Sequence, residues 1–394
     1  MYNLSVQAYQ NKDFGQFLNL NRKLDSLRPS HPTYTYNLAC AFALNGKTDE
    51  ALSVLRKCVL MNTKIDFESE KDLESLKNSE GYKKLFALKS KWEIPVTSSE
   101  KIISLSEKTL HTEGLLYLNS SKTWLATSIR NRKIVSFDIH SGQCTDWLSG
   151  EDLLSVFAIK ADKKEKILWI TTSAMPEMKG YNKNFEGKSE ILKIDIKTKK
   201  ILKRFPLQGN HVLGDLVVAK NGDVYISDSG EAVIFKITDD SMSVWLDLNK
   251  EAFNLQGLTF DETESQLFIA DYLKGILRIP MQDLTYRNWL NFPSNVTVKG
   301  IDGLLWHKKT LIAIHNGVKP IRIMQYVLNQ NNEITNFNVL DNNRLEFDEP
   351  ALGTISGGKL YFFSNSPWKA YNRNFDLDET QFENPTLYTN SLTD

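Results

Sequence analysis

A short pattern returns six times along this chain: an apolar run that ends in small polar residues, reading TWLATS, LWITTS, VYISDS, LFIADY, LIAIHN and LYFFSN. The runs end at Ser128, Ser173, Ser229, Tyr272, Asn316 and Asn365, at intervals of roughly 45 to 55 residues. That period is the length of a four-stranded propeller blade, so the back three quarters of the chain reads as a six-bladed β-propeller.

Each run is preceded by a second strand-like stretch, five of the six carrying a glycine: Glu113-Gly114-Leu115-Leu116, Val156-Phe157-Ala158-Ile159, Gly214-Asp215-Leu216-Val217, Gln256-Gly257-Leu258-Thr259, Asp302-Gly303-Leu304-Leu305 and Leu352-Gly353-Thr354-Ile355. These are the expected innermost strands. Third strands follow as KIVSFDI, ILKIDI, AVIFKI, GILRIP, IRIMQYVL and TLYTNSL, separated by turn signals such as Asn221-Gly222 and Gly357-Gly358. Fourth strands are legible in the first five blades only. The sixth is expected from KIISLS, residues 101–106, which would pair the two ends of the chain and remove the exposed edges of an open ring.

At 394 residues, two domains are the expected count: a helical one over 1–93 and the propeller over 94–394. The fold class is therefore mainly β, with an N-terminal α-helical addition. Lys plus Arg and Asp plus Glu balance at 48 each, which gives no long-range attraction to nucleic acid or an anionic membrane. No apolar run approaches the roughly 18 residues of a membrane span. The start, MYNLSVQAYQNKDF, lacks the regions of a secretory signal, so the sequence as given reads as cytoplasmic, and as periplasmic or secreted if a leader has been removed. Cys40, Cys58 and Cys144 form no CxxC pair, and the first two fall on apolar helical faces as buried thiols.

The segment from Tyr36 to Asn62 resembles a tetratricopeptide repeat: Ala39 and Ala43 on the first helix, Gly46 at the turn, then Asp49-Glu50-Ala51-Leu52 opening the second. The array is shorter than the roughly three units that stand alone, so it is expected to pack on the propeller. Either a structural cap or a docking surface for a protein partner follows from that position.

Residues opening the inner strands of a propeller converge at one end of its axis. Glu113, Gln256 and Asp302 occupy matching positions in the first, fourth and fifth blades. Oxygen donors brought together in this way suit a hard divalent cation, Ca²⁺ first and Mg²⁺ or Mn²⁺ next, and the set contains no zinc-type His or Cys. Carboxylates at such entrances can equally bond to neighbouring backbone amides.

Four stretches, EGLLY at Glu113, LGDLVVAKNGDVYISDSG from Leu213, LQGLTFDETESQLFIADY from Leu255 and IDGLLWHKKTLIAI from Ile301, resemble the senescence marker protein, gluconolactonase and luciferin-regenerating-enzyme family, and more loosely strictosidine-synthase-like propellers. The resemblance covers roughly residues 103–394. It implies an axial metal held by a first-blade Glu, a fourth-blade Asn and a fifth-blade Asp, by position Glu113, Gln256 and Asp302, and hydrolysis of a small lactone or ester. A non-catalytic propeller that binds a small molecule or peptide is the alternative. Two positions depart from the family pattern. Gln256 stands in place of Asn, and the Arg and Asn that precede the third-blade Asp are missing, so that His211-Val212-Leu213-Gly214-Asp215 keeps only Asp215.

Asp302 is the expected ligand and base, and His315, at the end of a second strand, is a separate candidate base. Asp215, His211 and Asn316 are the candidate substrate contacts on the ring. Two insertions, AMPEMKGYNKNFEGKS from Ala174 and PWKAYNRNFDLDETQFENP from Pro367, are expected above the same face, with Tyr181 and Tyr371 reaching the ligand.

Overall fold

A computed structural model describes residues 1–392 of the chain. Five helices lead: α1 (Tyr2–Gln10), α2 (Phe14–Leu27), α3 (Pro32–Leu44), α4 (Thr48–Met61) and α5 (Glu80–Glu93). Small residues decide how closely α3 and α4 approach, since Ala39 and Ala51 are wholly buried between them. Gly46 takes the turn at φ +69°, a conformation that side chains resist. Six antiparallel sheets follow, and each runs inner to outer in sequence order except where the ring closes.

Closure joins the two ends of the propeller segment. Thr386–Ser391 lies between Lys359–Phe363 and Glu100–Ser104, with Ile103 facing Leu387 and Ser104 facing Thr386. The outer strand of the sixth blade thus precedes the first blade in sequence, and it starts one residue earlier than the KIISLS motif. Just before it, Val96–Thr97 adds a fifth strand to the fifth blade, opposite Asn342 and Asp341. That strand is too short to show a period of two, so its pattern does not announce it.

The glycine in the inner-strand signature has a steric cause. A Cβ on Gly114 would stand 2.4 Å from the Phe157 carbonyl oxygen, and one on Gly257 would stand 2.5 Å from the Leu304 nitrogen. Around a narrow axis the inner strands of neighbouring blades meet backbone to backbone, and at these two positions a side chain would push them apart. Polar residues ending the second strands tie the ring from the rim side. Asp228 accepts from the Val212 and Gly230 amides at 2.9 and 2.8 Å, and Asp271 accepts from Phe253 and Asn254 at 2.6 and 2.9 Å. Both carboxylates hold the connection that enters their own blade.

The helical region packs on the fourth and fifth blades, where one apolar core runs from Leu55, Leu73 and Trp92 into Phe268, Ile276 and Tyr326. Backbone joins backbone as well. The Thr63 amide donates to the Lys319 carbonyl at 2.8 Å, and the Lys319 amide donates to Met61 at 2.9 Å. Buried Arg322 completes the joint, with its guanidinium 4.1 Å from the Trp92 ring centroid and donating to the Leu60 carbonyl at 3.1 Å.

Candidate functional site

The inner-strand entrances converge on an axial cavity of about 410 Å³ whose walls include Glu113, Gln256, Asp302 and Asn316. Three further walls were not anticipated from the sequence: Tyr272, Glu349 and Trp368. The second insertion reaches over the ring at Trp368, whose indole N–H donates to Glu113 Oε1 at 2.8 Å. Across the cavity Asn316 Nδ2 donates to Asp302 Oδ2 at 2.5 Å, and the Tyr272 hydroxyl holds the same amide through its oxygen at 3.2 Å. Each carboxylate is thereby fixed through one oxygen, while Glu113 Oε2 and Asp302 Oδ1 accept no hydrogen bond among the described residues.

Burial acts on these acids in one direction. Glu113 is pushed well above the usual carboxylate range, first by desolvation and then by the Asp302 charge, with the Trp368 bond opposing. Desolvation raises Asp302 to about 6, against the Asn316 bond and with help from the Asp215 charge. Glu349 rises to about 7 through burial and the charges of Asp348 and Asp302. It sits in the loop before the sixth blade at φ +55°, and the one sequence signal for it was an acidic residue beside a blade entrance.

The donor set for a cation is two carboxylates and one amide oxygen. Gln256 Nε2 donates to Asn254 Oδ1 at 2.5 Å, which leaves its Oε1 as the outward acceptor beside Gly214. Among the described residues no three His, Cys, Asp or Glu side chains are gathered closely enough to hold a metal ion. Gln256, an amide, is not among the side chain types of that group, and Glu113, Asp302 and Glu349 line the cavity without closing on one point. The donor set's all-oxygen chemistry, and two crowded acids that a positive charge would relieve, suit a hard divalent ion.

The other sequence candidates lie elsewhere. His315 is wholly enclosed between Lys299 and Tyr326, 2.9 Å from the Lys299 carbonyl through Nδ1 and 2.9 Å from the Tyr326 hydroxyl through Nε2. Burial lowers it to about 3, and with both nitrogens engaged it does not face the cavity. His211 pairs with Asp228, Nδ1 to Oδ2 2.5 Å, and braces the loop entering the third blade. Asp215 is buried among backbone amides, accepting from Leu216 at 2.8 Å with Lys160 3.9 Å away. It stands behind the cavity wall and acts on Asp302 through charge.

Tyr181 and Tyr371 both line a separate cavity of about 660 Å³ between the insertions. Tyr371 leans on buried His111, hydroxyl to Nδ1 3.2 Å. The insertions touch the axial cavity through Met175 and Trp368 instead. Cys40 and Cys58 are buried free thiols, as their helical faces predict. No helix among the described residues is long and apolar enough to cross a membrane.

No family model matches this chain, and no curated protein matches it. Solved structures do match in shape. A luciferin-regenerating enzyme aligns with a TM-score of 0.53 at 14% identity, over 76% of this chain and 96% of its own. Regucalcin from Agrobacterium tumefaciens, a calcium-binding protein, gives 0.51 at 12% over 75% and 96%. The PQQ-bound aldose sugar dehydrogenase of Streptomyces coelicolor gives 0.51 at 12% over 75% and 99%. At these identities the likeness shows the shared six-bladed propeller fold.

Proposed function

We propose that the axial cavity is the active site of a divalent-cation-dependent hydrolase acting on a small lactone or ester. The observation that carries this reading is the convergence of Glu113, Gln256, Asp302 and Glu349 on one cavity, with its acids displaced toward neutral pH. Glu113, Gln256 and Asp302 would hold the cation, and regucalcin's calcium makes Ca²⁺ the first ion to try. A cation bound there polarises the substrate carbonyl and lowers the pKa of water.

The chain's own residues then supply orientation and proton transfer. Trp368 and Asn316 hold the carboxylates of Glu113 and Asp302 so that a free oxygen of each faces the cavity. Glu349 is placed to accept the proton of the attacking water and to return it to the alkoxide released when the acyl C–O bond breaks. Asp302, tied to Asn316, serves as ligand and as second acceptor. Exclusion of water falls to Trp368 and Met175.

Calorimetric titration of Ca²⁺, Mg²⁺ and Mn²⁺ into chelator-treated protein tests the reading, in parallel with Asp302→Ala. Binding that disappears in the variant, with lactone hydrolysis that needs the ion, is the expected result. A wild-type protein that binds none of the three ions sinks the proposal.

A second reading has its own support, because no histidine lines the cavity among the described residues. In it the propeller binds a small molecule without turning it over, and the helical region docks a protein partner. Ligand-dependent stabilisation without hydrolysis distinguishes it.

A further inference from the structure

A second cavity of about 560 Å³ opens between the helical region and the fifth blade, and it shares Tyr272, Asn316 and Glu349 with the axial cavity. Those three residues border both spaces, so the two cavities adjoin along them. The far walls are largely apolar, from Pro32, Tyr36, Met61 and Ile65 of the helices and the segment after them and Val318 of the fifth blade, with Lys299 and Lys319 on the propeller side. Cys58 also lines it, with its thiol pushed up to about 12 by burial, and so offers a wall and not a nucleophile.

The helical wall is fixed where it matters. Asn62 and Lys319 form a parallel bridge, and the Thr63 and Lys319 amides bond across the joint at 2.8 and 2.9 Å. Three residues before Lys319 stands Asn316, whose amide holds Asp302. One short loop thus carries the apolar wall, the weld to the helices and the clamp on an axial carboxylate.

We infer that the substrate is a lactone or ester bearing an alkyl or aryl arm, with its reacting head in the axial cavity and its arm in this vestibule against α3 and the end of α4. The inference rests on the axial cavity being the reacting site. It gives the helical region a role in selecting substrate by chain length. Two adjoining cavities, one acidic and one largely apolar, suit an amphiphilic ligand better than a compact sugar lactone, which the axial space alone would hold.

A series of γ-lactones with side chains from ethyl to octyl tests this by calorimetry on the full chain. Affinity should rise by about three- to fourfold per methylene, the gain expected for burying a CH₂ group. Thr33→Trp and Ile65→Trp, one at an exposed and one at a half-buried wall position, should each remove that rise while leaving ethyl-lactone binding and cation binding unchanged. A wild-type series without chain-length dependence overturns the inference, as does a rise that survives in both variants. If the rise appears and both variants abolish it, yet no cation binds and no lactone is hydrolysed, the vestibule stands and the hydrolase reading falls.

Discussion

The ring and the helical region are held by different means, and the difference separates what repeats from what occurs once. Devices recur around the ring: a glycine at the axis where neighbouring blades touch, as at Gly114 or Gly257, and a second-strand carboxylate that holds the loop entering its own blade, as at Asp228 or Asp271. The helices meet the ring on one side, through a shared apolar core, Arg322 on Trp92, the backbone bonds around Lys319 and the Asn342 amide on the Trp92 carbonyl. A repeated contact spreads stability around a closed circle, whereas a single joint concentrates it and can be released alone.

The largest effect should come from breaking the circle. Removing everything from Pro385 onward takes away Thr386–Ser391, the strand that joins the sixth blade to Glu100–Ser104. Scanning calorimetry should then show no cooperative transition, and a retained native melt would refute the closure.

Arg322→Ala attacks the other joint and should cost about 3 kcal/mol, because a large buried side chain and its bond to the Leu60 carbonyl are lost together. The expected melt splits, with the helical region leaving first and the ring surviving. A single unchanged transition would show that the two regions are not separable in this way.

The smallest effect sharpens the contrast by titrating the ring alone. Asp302 and Glu349 have folded-state values of about 6 and about 7, above those of ordinary carboxyls. Acids raised on folding contribute stability that is complete below the ordinary carboxylate range and is lost as pH rises through the raised values. Cation-free protein should therefore lose stability progressively between about pH 4 and pH 8. Asp302→Asn should flatten that slope, and a cation that occupies the site should reverse it. A melting temperature independent of pH over this window would contradict the displaced acids.

Reading the site from sequence went as far as the repeat did. Glu113, Gln256 and Asp302 could be placed because each opens an inner strand, and ring geometry carries that position to the axis. His315 could not, since a strand-end residue can turn toward the axis or back into its own blade, and here the Tyr326 hydroxyl and the Lys299 carbonyl take both nitrogens. Tyr181 and Tyr371, expected to reach the ligand, line a cavity beside the axial one and not the axial cavity itself. Glu349 went unnoticed because it belongs to a loop that reaches the axis through a left-handed turn.

What the sequence determined by itself was the number of blades, the order of their strands and the residues at the axial entrance, because strand alternation and a blade-length period are local properties that any window of the chain displays. Tertiary structure alone decided which carboxylates are crowded, which histidines are sealed away and where the helices set their apolar wall. Those outcomes depend on desolvation and on contacts such as Trp368 to Glu113, between residues far apart in the chain, and neither is encoded in the pattern of any one segment.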